Sequence, residues 1–85
     1  MKNNTETKLA KLGKELVKDF YNKDGKEILA KIWASGFAPK LYQYDICRHT
    51  LQYTVGGHNE RLKIYMHSKD LQHTVTCLLN VEYER

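Results

Sequence analysis

The chain has 85 residues, 41% hydrophobic and 28% charged, with a net charge of +4. That length supports one hydrophobic core but not two, because each half of a divided chain would bury too little apolar surface to offset chain entropy. The ordinary composition excludes wholesale disorder.

Two cysteines, Cys47 and Cys77, give neither a disulfide framework nor a CxxC metal pair. The polar start MKNNTETK lacks the apolar core of a signal peptide, and no apolar run approaches the roughly 18–20 residues of a membrane span. The expectation is a cytoplasmic protein of one domain, residues 1–85, with reduced thiols and no cofactor. Charge is unevenly placed: residues 1–40 hold nine lysines against five acids, whereas residues 41–85 hold five bases against five acids. Long-range attraction for phosphate or an acidic protein therefore originates in the first half.

Leu9, Leu12, Leu16 and Phe20, with Val17 beside them, recur at the spacing of a helix with one buried face. Lys11, Lys14 and Lys18 fall on the opposite side, where Glu15 can pair with Lys11 or Lys18. The pattern predicts a helix over about 5–21. NKDG follows as a turn, and Asp24 with Glu27 three residues on resembles a capping box. A second helix over about 24–35 carries Ile28, Leu29, Ile32 and Trp33, and Gly36 is a natural stop.

Residues 40–55 admit two readings. A helix from Pro39 to Gly56–Gly57 would leave Tyr42, Ile46 and Tyr53 exposed opposite an apolar side. A strand pair puts Tyr42, Tyr44 and Ile46 on one face and Leu51, Tyr53 and Val55 on one face, with a phase slip that a bulge or tight turn at Cys47–Thr50 explains. The density of Tyr, Ile, Thr and Val favours strands over about 41–47 and 49–55. GGHN is then a hairpin loop. Leu62, Ile64 and Met66 alternate with polar residues over 61–67, SKDLQ is a turn, and Val75, Cys77, Leu79 and Val81 alternate over 73–83.

The expected fold is α+β, with two N-terminal antiparallel helices packed on one face of a three- to four-stranded antiparallel sheet. The expected core is Leu9, Leu12, Leu16, Phe20, Ile28, Leu29, Ile32, Trp33, Leu51, Tyr53, Leu62, Ile64, Met66, Val75, Cys77, Leu79 and Val81. The alternative is a winged helix-turn-helix.

Two surfaces follow as candidate binding sites. The sheet's open face would display Arg61, Lys63, Tyr65 and His67 beside Thr74, Thr76, Leu78, Asn80 and Glu82. Cations interleaved with an aromatic are what a single-stranded nucleic-acid platform requires, although such residues are also ordinary on a solvated strand. The second surface is the basic helix face of Lys11, Lys14 and Lys18. No metal site is expected. Cys47 and His49 could chelate from one strand face, but His73 and Cys77 would stand about 13 Å apart along a strand. A Cys47–Cys77 disulfide requires the two strands to adjoin.

Acid–base chemistry on RNA would draw on His67 or His73, Tyr83, Lys63, Arg61 and Arg85. The segment RLKIYMHSKDLQHTVTCLLNVEYER resembles the last hairpin of the RelE/YoeB-type toxins, which implies a small ribosome-dependent mRNA-cleaving protein. The two preceding helices suit that family, whereas a strand usually opens it. LAKIWASGFAPKLYQ is similar to a helix-turn-helix, with Gly36 in the turn and Pro39 opening the second helix. That similarity implies DNA contacts from Lys40, Gln43 and Arg48, and departs from the pattern at Asp45, where an apolar residue should point inward.

No P-loop, nucleophile elbow or paired-carboxylate motif is present. The expected function is therefore a small, basic, non-enzymatic binding protein that docks on a larger protein or nucleoprotein complex. An accessory factor of a phage or mobile element, or an inhibitor of a host defence complex, would have this character. Direct nucleic-acid binding and self-pairing through a strand edge are the further options.

Overall fold

The computed structural model describes residues 7–19, 24–67 and 79–85. Within them are helices α1 (Lys8–Asp19) and α2 (Gly25–Ala34), followed by strands β1 (Lys40–Asp45), β2 (Thr50–Gly56), β3 (Arg61–His67) and β4 (Asn80–Glu84). The four strands form one antiparallel sheet in the order β1-β2-β3-β4, and α1 packs over β3 and β4. The fold is α+β, as the sequence predicts.

Helix α1 begins where Thr7 accepts the Ala10 N–H at 3.1 Å through its hydroxyl, satisfying one of the free donors of the first turn. Asp24 caps α2 through the Lys26 N–H at 2.9 Å. At the other end of α2 the Gly36 N–H reaches the Trp33 carbonyl and the Phe37 N–H reaches the Ile32 carbonyl. This Schellman closure needs the positive φ of +90° that Gly36 supplies, and it turns Phe37 back against the core. Positions 5–6 and 20–21 of the predicted first helix, the SKDLQ turn and residues 73–78 lie outside the described residues, with Phe20, Val75 and Cys77.

The core is Leu9, Leu12 and Leu16 of α1, Ile28 and Ile32 of α2, and Val55, Leu62, Ile64, Met66 and Leu79 from the sheet side. Leu29, Phe37, Leu51, Tyr53 and Val81 pack at its margin. Trp33 was expected among them and is instead 60% exposed, because it follows Ile32 by one position and is carried round the helix to the outer side. Gly13 is the close-approach point of α1: a Cβ there would lie 2.9 Å from Leu62 Cδ2. Glu15, expected to pair along its own helix, has its carboxylate 3.8 Å from Lys31 of α2.

The helical reading of residues 40–55 is overturned, and the winged helix-turn-helix alternative with it. Asp45 is the residue that turns the chain. Its Oδ1 accepts the Cys47 and Arg48 N–H groups at 3.0 and 3.2 Å, and His49 completes the turn at φ +54°. This tight turn accounts for part of the predicted phase slip. The rest arises earlier, where β1 shifts register against β2 between Leu41 and Gln43. Tyr42 is the extra residue. Leu41 and Tyr44 therefore share the helix side of the sheet, opposite Tyr53 and Leu51, where an uninterrupted strand would put them on opposite faces, and Ile46, expected on a strand face with Tyr42 and Tyr44, lies in the turn beyond β1.

Candidate functional site

Register places the polar side chains of the open face in rows. Gln43, Gln52, Tyr65 and Asn80 are successive cross-strand partners, and Asp45, Thr50 and His67 form the neighbouring row. These two rows floor a shallow concavity of about 410 Å³, to which Arg48 and Glu82 also contribute. His67 Nδ1 lies 3.5 Å from the Thr50 hydroxyl. The amides and hydroxyls offer both donors and acceptors, with the half-buried Tyr65 ring between them.

The predicted quartet Arg61, Lys63, Tyr65 and His67 does stand on this one face, but its cations are not available together. Lys63 Nζ is 2.8 Å from Glu84 Oε2 and Arg61 Nε is 3.0 Å from Glu84 Oε1, so one carboxylate holds both. The hydrogen bond from Lys63, then that from Arg61, hold the Glu84 carboxyl below its ordinary range, and Glu84 in turn raises the Lys63 ammonium. Arg48 is likewise 3.7 Å from Asp45. A phosphate backbone approaching this face would have to displace those carboxylates.

Tyr83 stands on the other side of the sheet. It is paired with Leu62, shares that residue's face, and donates its hydroxyl hydrogen bond to Glu60, with the Thr7 hydroxyl 3.4 Å away. The Tyr83 bond, followed by one from Thr7, holds the Glu60 carboxyl below its usual range. The sheet thus separates Tyr83 from Arg61, Lys63 and His67, and the RNA-cleaving constellation is not assembled on one surface. His73 lies outside the described residues. Cys47 and His49 sit in the β1–β2 turn rather than side by side on a strand.

Lys11, Lys14 and Lys18 are exposed along the outer side of α1. Lys14 and Lys18 also flank an apolar groove of about 350 Å³ between α1 and β4, formed by Gly13, Val17, Val81 and Tyr83. The glycine inside an otherwise regular amphipathic helix was the sequence signal for it.

The most exposed large apolar side chains lie elsewhere. Leu41, Tyr42 and Tyr44 of β1 are 49, 68 and 46% exposed, Ile46 in the following turn is 64% exposed, and Trp33 of α2 is 60% exposed. The composition of β1 foretold these residues, but not their exposure, which follows from α1 covering β3 and β4 and not the β1 side. Burial raises the pKa of Tyr53, directly across from Leu41, so the apolar character deepens from β1 inward.

Among the described residues no helix is long and apolar enough to cross a membrane. Comparison of the chain with known protein families, with curated proteins and with solved structures finds no match.

Proposed function

We infer that this chain is a non-enzymatic cytoplasmic binding protein that docks on a larger protein, using the exposed apolar side chains of β1 and its turn. The observation that carries the reading is that Leu41, Tyr42, Tyr44 and Ile46, four large apolar groups in six positions, all stand in solvent. Tyr and Trp are enriched at the energetic centres of protein interfaces, and so dense a set of exposed apolar groups marks an interaction site. The partner's matching surface is apolar at its centre, and the chain's net charge of +4, which originates in its lysine-rich first 40 residues, gives long-range attraction for a partner of acidic character. An inhibitor of a host defence complex carried by a phage or mobile element would act in this way, by occupying a partner's working surface.

A protein partner is favoured over nucleic acid because Arg61 and Lys63 are both engaged by Glu84. The test is cross-linking of the purified chain in nuclease-treated extract, followed by mass spectrometry. The expected result is one defined complex, cross-linked near β1, that survives nuclease and is lost when Tyr42→Ser and Ile46→Ser are combined in a variant of unchanged melting temperature. Capture indifferent to those substitutions would end the reading. So would a shift of RNA or duplex DNA with steep salt dependence, or arrest of translation in an extract that His67→Ala relieves.

A further inference from the structure

Strand β1 is the terminal strand of the sheet, and its outer edge carries no partner strand among the described residues. Natural edges are usually blunted by proline, by charge, by bulges or by covering elements, and the irregularity at Tyr42 is the one such device within β1. β1, with the sequence KLYQYD, has charges only at its two ends, and they are opposite. A strand with a cation at one end and an anion at the other is complementary to its own reverse.

We propose that the edge of β1 pairs antiparallel with β1 of a second copy of this chain about a two-fold axis, with Lys40 opposite Asp45 of the second copy and Leu41 opposite its Tyr44. The inference goes beyond the docking reading, because it concerns the backbone edge and the chain alone.

The register irregularity at Tyr42 is what brings Lys40 and Asp45 to one face and Leu41 and Tyr44 to the other. Residues directly opposite in an antiparallel pair project from the same face of the sheet. In a regular strand Lys40 and Asp45, five positions apart, point to opposite faces, and a two-fold perpendicular to the sheet could never bring them together. Here Lys40 is paired with Thr54 and Asp45 with Thr50, and those two threonines, four apart on β2, share a face. Lys40 and Asp45 therefore both stand on the open face.

The same holds on the helix side. Leu41 and Tyr44 oppose Tyr53 and Leu51, two apart on β2, and so point the same way. The symmetric register matches cation with anion on one face and aliphatic with aromatic side chain on the other, each twice. Lys40 is exposed and Asp45 presents Oδ2, whose present neighbour Arg48 is 3.7 Å away. The product is an eight-stranded sheet with all four helices on one side and the two polar concavities side by side on the other. The exposed Leu41 and Tyr44 gain a mutual partner while the sheet faces remain open to a larger protein.

The measurement is the mass of the purified chain alone by sedimentation, so it can fail while docking stands, and docking can fail while it stands. The expected mass is twice the 10.0 kDa of one chain. Lys40→Asp places two carboxylate pairs in the interface and should weaken the dimer by about tenfold or more. Asp45→Lys places two ammonium pairs there, and mixing the two variant chains restores both attractions in a heterodimer that neither forms with itself.

Because Asp45→Lys also removes the turn contacts, a second variant keeps the test independent of it. In a background of Cys47→Ser and Cys77→Ser, Leu41→Cys combined with Tyr44→Cys should give a dimer resistant to detergent, and Leu41→Cys alone should not. A monomer at about 100 μM overturns the proposal. So does a dimer indifferent to Lys40→Asp, or one cross-linked as well by Leu41→Cys alone.

Discussion

Lys63 Nζ lies 2.8 Å from Glu84 Oε2, although the residue directly across the strand from Lys63 is Glu82. The lysine leans diagonally because Glu84 also takes Arg61, its own cross-strand partner, so that a single carboxylate closes a three-charge cluster at the end of β3 and β4.

Neutralising that carboxylate should free both cations. Glu84→Gln is expected to raise the affinity of the open face for single-stranded RNA several-fold and to steepen its salt dependence by about one to two charges, measured by fluorescence anisotropy across a salt series. Unchanged affinity would mean that Arg61 and Lys63 are not held back by Glu84.

The same cluster sets a direction for acid sensitivity. Glu84 and Glu60 are both held below the ordinary glutamate range in the folded chain, by Lys63 and by Tyr83 respectively. Their contribution is therefore complete above the ordinary glutamate value and is lost as pH falls through the lowered folded values. The melting temperature should drop on acidification through that window. The drop should be shallower in a Glu60→Gln, Glu84→Gln double variant, as followed by circular dichroism. Both groups are solvent-exposed, so the effect should also shrink in high salt.

Gly56 closes β2 at φ +110°, and a Cβ there would meet the Glu60 carbonyl oxygen at 2.6 Å and Leu9 Cδ2 at 2.7 Å. The Glu60 carbonyl is backbone and cannot give way, and Leu9 Cδ2, although the end of a side chain, is held in the buried core. Gly56→Ala should cost about 2–4 kcal/mol in urea unfolding. By contrast, Gly57→Ala, with open space around its Cβ, should cost little.

His49 holds a left-handed backbone at φ +54° in the β1–β2 turn, a conformation that glycine adopts without Cβ strain. His49→Gly should stabilise the chain by roughly 0.5–1 kcal/mol, the relief of strain exceeding the extra freedom of the unfolded chain. Asp45→Ala, which deletes the two turn bonds to Cys47 and Arg48, should move the midpoint the other way by about 1–2 kcal/mol.

The helices were legible because their signals are local: Asp24 caps α2, Gly36 ends it, and Leu9, Leu12 and Leu16 repeat at helical spacing. Strand β3 was legible because Leu62, Ile64 and Met66 are buried on one side and polar on the other, an uninterrupted period of two. β1 was harder. A bulge has no residue signature in KLYQYD, so the register shift at Tyr42 was not legible, and the turn-forming role of Asp45 showed in the sequence only as a departure from the helix-turn-helix pattern. The open-face quartet was found, yet its pairing with Glu84 depends on register across strands, which no local pattern encodes. The division of Tyr83 from His67 is likewise a matter of parity across a pairing.

Ile32 and Trp33 are neighbours in α2 with opposite fates, the first fully buried and the second 60% exposed. Ile32→Ala removes methyl groups from a closed core and should cost about 2–5 kcal/mol. Trp33→Ala should cost under about 1 kcal/mol, since most of the ring already meets water. As the chain's only tryptophan, Trp33 also reports on itself. Its emission should be red-shifted and readily quenched by iodide in the free protein. If α2 contributes to the docking surface, a bound partner should shift that emission to the blue and shield it from quenching. Protection of Trp33 in the free chain at low concentration would show that the ring belongs to the core after all.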